Sequence, residues 1–465
     1  SVAATSQLFR ERGATVELDL PDQLPNILAD HDRLIQVMLN LLSNAVKFLP
    51  PDAGLVRESQ PPGGERQAAA TSKAADEDAL SDTRAEPADA SIAVLPLVNM
   101  SSDREQDYFS DGLSEELLNL LAQVPGLHVA GRTSSFSFKD KQATIGEIGR
   151  ALHVATVLEG SVRKSGERVR ITAQLVKARD GYHLWSQTYD RELTDIFAVQ
   201  DEIAAAVVDA LKLKLLPAQQ PTTAGHHVPS PAAYTHFLLG RQLLNRATEE
   251  GFHRAVSEFA QAVALEPDYA AALAGLALAE AYASDYTDSD AAMLAGRQRA
   301  SEAAQRAVTR DPTLGEAYTA RAVLRFVFDL DWNGGDADFA QALVFNPGDV
   351  MTHWQYSRLL AALGRLPEAL ASARQATQLD PLSAQAWEIQ ARYQLASGDT
   401  TAARQSLEQA LDLAPDHGRA PLGLGMAALL DGDPAAARAW YARSNNETFQ
   451  LAGLAHAAFQ HGGDM

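Results

Sequence analysis

The sequence contains no cysteine, which excludes disulfides, thiolate metal sites and a cysteine nucleophile together. It has no uninterrupted run of roughly 18 apolar residues, the length a bilayer-spanning helix needs. The longest small-apolar stretch, Tyr269 to Ala279, is alanine-rich and stops at Glu280. Basic residues are in deficit, with 39 Lys and Arg against 60 Asp and Glu, for a formal charge of −21. Such a balance argues against general affinity for nucleic acid or anionic membrane, because a phosphate backbone would be repelled. Residues 51–90 lack aromatics altogether and carry only Leu55, Val56 and Leu80 as bulky aliphatics. That composition cannot offset the entropy of ordering, so the segment is expected to be a disordered linker.

What is present divides the 465 residues into several units, as a chain too long for one core must. The chain opens at Ser1 in mid-pattern, which suggests a fragment or a processed form. In residues 1–50, Thr15 to Leu20 alternates like a half-buried strand, and Leu34, Val37, Met38, Leu41, Leu42, Ala45 and Val46 form one helical stripe. Residues 91–217 mix both periods. Ile92 to Leu97 reads as a buried strand, and Asp111 as the cap of a helix through Glu115, Leu117, Leu118 and Leu121. A further helix is expected over Ile145 to Leu152. A hairpin follows, from Val154 to Lys164 and back from Val169, with its turn at Ser165-Gly166-Glu167. Its return strand points Val169, Ile171, Ala173 and Leu175 inward. A strand over Tyr182 to Tyr189 and a helix from Asp195 to Leu216 complete an α/β unit.

After a connector at 218–231, residues 232–465 repeat. Pro267, Pro312, Pro347, Pro381 and Pro415 stand 45, 35, 34 and 34 residues apart. The phase holds around them: Ala384, Trp387, Gly398, Ala403, Leu407, Ala410 and Leu411 follow Pro381 as His353, Tyr356, Gly364, Ala369, Ala373 and Ala376 follow Pro347. Small residues fall where two helices must approach closely, and large ones where neighbouring pairs meet. This helix-turn-helix layout resembles the tetratricopeptide repeat, which implies an all-α solenoid that binds proteins or peptides along the face of its first helices. In this phasing Trp354, Arg358, Glu388 and Arg392 project there, and Trp and Arg are frequent hot spots. The lysine and asparagine pattern of the carboxylate-clamp subfamily is absent at Met351, Gln355, Gln385 and Ile389.

Two other resemblances bear on function. Ile92-Ala93-Val94-Leu95-Pro96, Tyr108 to Glu116, Leu158 to Arg163 and Gly181 to Ser186 resemble the TolB amino-terminal-like domain. Related chains set that module before tetratricopeptide arrays and pair it with adenylate cyclase or winged-helix output domains, which implies a regulatory part. Asp32, Arg33, Leu34, Gln36 and Val37, followed by Asn40 to Phe48, are similar to the N box of the sensor histidine kinase ATP-binding domain. The resemblance implies that Asn44 would hold Mg²⁺ and Lys47 would offer charge to the phosphates, with Asn40 nearby. The Asp-x-Gly-x-Gly box and the glycine-rich lid do not follow Phe48, so residues 1–50 read as a short α/β kinase remnant and no cofactor is expected. Mg-ATP belongs to the alternative of a hybrid sensor kinase.

Weaker signals have plainer readings. Gly334 to Phe339 is similar to the glycine-glycine-aspartate signature of diguanylate cyclases but falls at the start of a repeat's second helix. Arg163, Lys164, Arg168 and Arg170 could face an anion, but a solvated strand face explains them. His226-His227 lacks a third ligand for a metal. The chain therefore reads as a multidomain, non-catalytic bacterial signalling scaffold with a protein or peptide partner. A purely structural assembly factor is the remaining rival. The kinase-like segment places the chain in the cytoplasm, and a periplasmic site for the rest would follow only if that fusion were unnatural.

Overall fold

The computed structural model describes residues 90–101, 106–211, 229–287, 289–444, 450–451 and 453–454. Asn40, Asn44, Lys47 and the His226-His227 pair lie outside them, as does the segment 51–89.

The α/β part opens with β1 (Ser91–Val94), β2 (Val98–Asn99), α1 (Asp107–Ala122), β3 (His128–Val129), α2 (Arg132–Phe136) and α3 (Ile145–Leu152). It continues with β4 (Thr156–Ser165), β5 (Arg168–Lys177), β6 (His183–Glu192) and α4 (Ile196–Ala210). The sheet runs β3-β1-β4-β5-β6, with β3, β1 and β4 parallel and β4, β5 and β6 antiparallel. β2 pairs with the far half of β4. Val169, Ile171, Ala173 and Leu175 are buried as the alternation requires. They face α1 and α4, while Ile148 and Leu152 of α3 cover Ala93 and Val157.

One expectation needs correction. Asp111 does not cap α1; the helix starts at Asp107, and Asp111 sits inside it, bound to Lys139 Nζ at 2.6 and 2.8 Å. The earlier start is available because Asp107 accepts from Asn99 Nδ2 at 2.8 Å, anchoring the first turn to β2.

The second part is an array of paired helices: α5 (Pro231–Asn245) with α6 (Glu249–Leu265), α7 (Ala270–Ser284) with α8 (Asp290–Arg310), and α9 (Gly315–Leu324) with α10 (Trp332–Phe345). Then come α11 (Val350–Ala362) with α12 (Leu366–Leu379), α13 (Ala384–Ala396) with α14 (Thr400–Leu413), and α15 (Ala420–Leu430) with α16 (Pro434–Tyr441). Helices α6, α8, α10, α12 and α14 each end two residues before one of the phased prolines. The residue six beyond the proline then locks the loop. Tyr318 Oη, His353 Nε2 and Trp387 Nε1 donate to the carbonyls of Pro312, Pro347 and Pro381 at 3.1, 2.9 and 2.8 Å.

Inside the last three pairs the turn is made by Gly364, Gly398 and Gly432, with φ of +76°, +84° and +79°. Each allows the following amide to bond back to the helix, Arg365 to Leu360, Asp399 to Gln394 and Asp433 to Ala428, which satisfies a carbonyl orphaned at the helix end. Small residues also set the approach of helices. The Phe259 ring, fully buried, lies between Gly240 of α5 and Gly275 of α7; a Cβ at either would come within 2.8 or 2.5 Å of it.

The array does not hang from the α/β part on a tether. One apolar core runs from Ile92 to Ala279, taking in α1, α4, α5 and α6. Tyr234 of α5 accepts from Gln200 Nε2 of α4 at 2.9 Å and stands edge-on to Phe197 and Phe109. Leu238 fills the space above Gly112, where a Cβ would be 2.6 Å away.

Beside this core lies a buried charge cluster. Arg241 of α5 bonds Glu115 at 2.8 Å and Glu116, both of α1, and stands 3.7 Å from Glu316 of α9. Arg132 Nε holds the other oxygen of Glu115 at 2.9 Å, and Asn119 donates to Glu316 at 2.9 Å. Burial works against ionising Glu115, but Arg241 and Arg132 outweigh it and hold its carboxyl below the usual range. Glu116 is pushed up to about 7 by burial, with Glu316 and Glu115 adding to the effect against Arg241. Burial also raises Glu316.

Two outcomes follow. Gly398→Ala forces a Cβ into the left-handed region and is expected to cost about 1 kcal/mol, read as a lower urea midpoint. Because Glu116 titrates near 7 when folded against 4.5 as its ordinary value, the folded chain holds the extra proton between those pH values. Its contribution is therefore largest at low pH and is lost as pH rises through about 7. Urea unfolding at pH 5.5 and 8.0 should show Glu116→Gln shrinking that difference, by on the order of 2 kcal/mol; an unchanged difference would assign the slope elsewhere.

Candidate functional site

The first helices of the pairs share one face, and α1 and α2 are packed against part of it. Gly131 N donates to Leu379 O at 2.5 Å, Ser134 N to Asp380 Oδ1 at 2.7 Å, and Leu382 N to Ser134 Oγ at 2.8 Å. Asp380, just before the phased Pro381, is buried and supplies a charge-assisted bond to the first turn of α2. Ala122 at the end of α1 meets Gly348, where a Cβ would lie 3.0 Å from the alanine methyl. A cavity of about 340 Å³ remains between Leu118 and Asn119 of α1 and Ala274, Thr319 and Trp354 of the array.

Farther along the same face a second cavity of about 1000 Å³ is open. All four residues singled out by phase, Trp354, Arg358, Glu388 and Arg392, line it. The period explains the convergence: Trp354 and Glu388 are one repeat apart, as are Arg358 and Arg392. Trp354 borders both cavities, and its indole N–H is buried without a hydrogen-bond partner. Arg392 is held by Glu388 at 2.9 Å. Arg358 instead donates to the neutral Gln355 Oε1 at 2.7 Å and lies 5.7 Å from the Phe326 ring centre. Burial pushes the Arg358 guanidinium down from its ordinary value, and the charges of Arg392 and Arg419 add to that.

The cavity has lining that phase had not supplied. Leu422 and Met426 of α15 occupy the next copy of the same two positions, so extending the phase by one repeat would have found them. Phe252, Tyr282 and Tyr286 close the opposite wall, the rings 5.2 and 6.0 Å from Phe252. They were not legible because the 45-residue spacing around the second pair breaks the phase.

Two of the weaker signals, the Gly334 to Phe339 stretch and the hairpin cations, take their plainer readings. Gly334 and Gly335 sit in the first turn of α10 and Phe339 is fully buried. Asp336 pairs with Arg365 at 2.9 Å and Asp338 with Arg321 and Arg325 at 2.7 and 2.8 Å, so both acids are engaged within the array. Beside the hairpin, Asp190 of β6 pairs with both Arg168 and Arg170, at 2.9 and 2.6 Å. Arg163 donates to Met100 O, and the Lys164 amine stands over the Phe109 ring. No helix among the described residues is long and apolar enough to cross a membrane.

Comparison with known proteins adds three kinds of finding. A sequence model of the tetratricopeptide repeat family matches residues 357–406 and 390–445. Putative adenylate cyclase 3 of Rhizobium meliloti (strain 1021) is 41% identical over 192 residues, 41% of this chain and 33% of that protein. The adaptive-response sensory kinase SasA of Synechococcus elongatus is 34% identical over 137 residues, 28% of this chain and 33% of the kinase. The chain thus spans about a third of these curated relatives. Among solved structures, a thermophilic repeat protein of Thermus thermophilus aligns with 43% of this chain and all of its own at 22% identity and a TM-score of 0.35. The type IV pilus biogenesis factor PilW aligns with 47% of this chain and 97% of its own at 16% identity and a TM-score of 0.39. Residues 357–445 of this chain carry tetratricopeptide repeats.

Proposed function

We propose that the chain is a non-catalytic signal-transduction scaffold that holds a protein partner on the open part of its first-helix face. The observation that carries this reading is the convergence of Trp354, Arg358, Glu388 and Arg392 on one cavity of about 1000 Å³. Its walls combine aromatic and aliphatic surface with a few charged groups, the composition of a protein-binding hot spot. A segment 41% identical to part of a putative adenylate cyclase supports a role in signalling. The α/β part, read as TolB-like, then serves as the regulatory element, since its α1 and α2 already cover the neighbouring part of the face.

The test is site-specific photo-crosslinking in cells. A photoreactive side chain replaces Met426, which lines the cavity, or Val344 on the second helix α10, which is 72% exposed away from it. The expected outcome is a discrete protein adduct from position 426 alone, lost in an Arg358→Glu, Arg392→Glu double variant. Equal adducts from both positions, or adducts that survive the charge reversal, would move the partner off this face.

A further inference from the structure

The second cavity carries a charge mismatch. The chain as a whole has a formal charge of −21, yet the charged groups lining this cavity are Arg358, Arg392 and Arg419 against Asp285 and Glu388. Both carboxylates are already engaged: Glu388 holds Arg392 at 2.9 Å, and Asp285 pairs with Arg297 at 3.2 Å. Arg358 is left with neutral company, one bond to Gln355 and the face of Phe326. Among the described residues no carboxylate stands within ion-pair distance of it. A guanidinium held this way in a partly buried wall has lost hydration without gaining a counter-charge, which is unfavourable until an anion arrives.

The geometry points to the missing anion. Arg358 is a single guanidinium whose bonds are to neutral groups, and one carboxylate balances it without the second negative charge of a phosphate dianion. Phe252, Ile389, Leu395, Leu422 and Met426 give much of the remaining lining an apolar surface, which needs apolar side chains beside the acid. We propose that this cavity takes an acidic peptide segment of the partner, in which one Asp or Glu carboxylate pairs with the Arg358 fork and flanking apolar side chains fill the walls. This rests on the scaffold reading above and names the chemistry of its ligand.

The probe is a positional-scanning library of hexapeptides carrying an uncharged BODIPY dye, acetylated and amidated so that no terminus supplies a charge, titrated by polarisation against the full chain. Pools fixed as Asp or Glu are expected to bind about tenfold more tightly than Asn or Lys pools, the scale of one charge-assisted pair. Arg358→Glu should invert the preference toward Lys. Arg358→Gln, which keeps the size and removes only the charge, should abolish the preference while retaining the thermal melt of the parent. Acidic and neutral pools binding alike, or a preference unmoved by both variants, would overturn the proposal and leave the scaffold reading intact. No pool bound at any position would overturn the scaffold reading itself. Displacement of the acidic pools by equimolar inorganic phosphate would assign the cavity to a small anion and overturn the peptide.

Discussion

Arg241 is the contact on which the arrangement of the two parts depends. It issues from the first helix of the array and reaches two glutamates of α1 and one of α9, so a single guanidinium ties the sheet-bearing part to two different helix pairs. A buried ion pair of this kind is weak evidence for net stability, because desolvation offsets much of the attraction. Its value is in position: with Arg132 on the second oxygen of Glu115 and Asn119 on Glu316, α1 has one register against the array. Apolar packing of Leu238 over Gly112 and Tyr234 against Phe109 supplies the driving force. The charges decide where that force is applied.

The face of the first helices is consequently divided. Residues at corresponding phases along the array do not all meet the same surroundings, because α1 and α2 cover the part near Gly348 and Asp380 and leave the part around Arg358 and Met426 open. Trp354 stands at the border of the two. A periodic sequence thus produces a non-periodic surface once a second structural element is laid across it.

How far this was legible follows from the range of each interaction. The prolines, the positive-φ glycines and the phase of Trp354, Arg358, Glu388 and Arg392 act within one repeat or between adjacent repeats, and the sequence shows them directly. The hairpin and its inward residues were legible for the same reason, since a period of two and a short turn are local. The cap at Asp111 failed because two acids four residues apart both suit a helix start, and the choice fell to Asn99 on a neighbouring strand. The pairing of Arg241 with Glu115 joins residues 126 positions apart and leaves no periodic trace. The Phe252, Tyr282 and Tyr286 wall was hidden by the irregular second and third pairs, where the third includes a π-helical turn at Arg325–Asp329 and a non-glycine left-handed residue, Leu330.

The single core from Ile92 to Ala279 sets what can be inherited as a piece. A gene fusion that cut between the sheet and the first helix pair would strand Tyr234 and Leu238 on one side and their partners in α1 and α4 on the other, leaving two greasy, insoluble fragments. The smallest portion of this chain that recombination can move intact therefore includes α5 through α7 along with the sheet. The pairs from α9 to α12 also carry contacts to α1 and α2, through Glu316, Gly348 and Asp380, so only pairs beyond those contacts can be gained or lost one at a time.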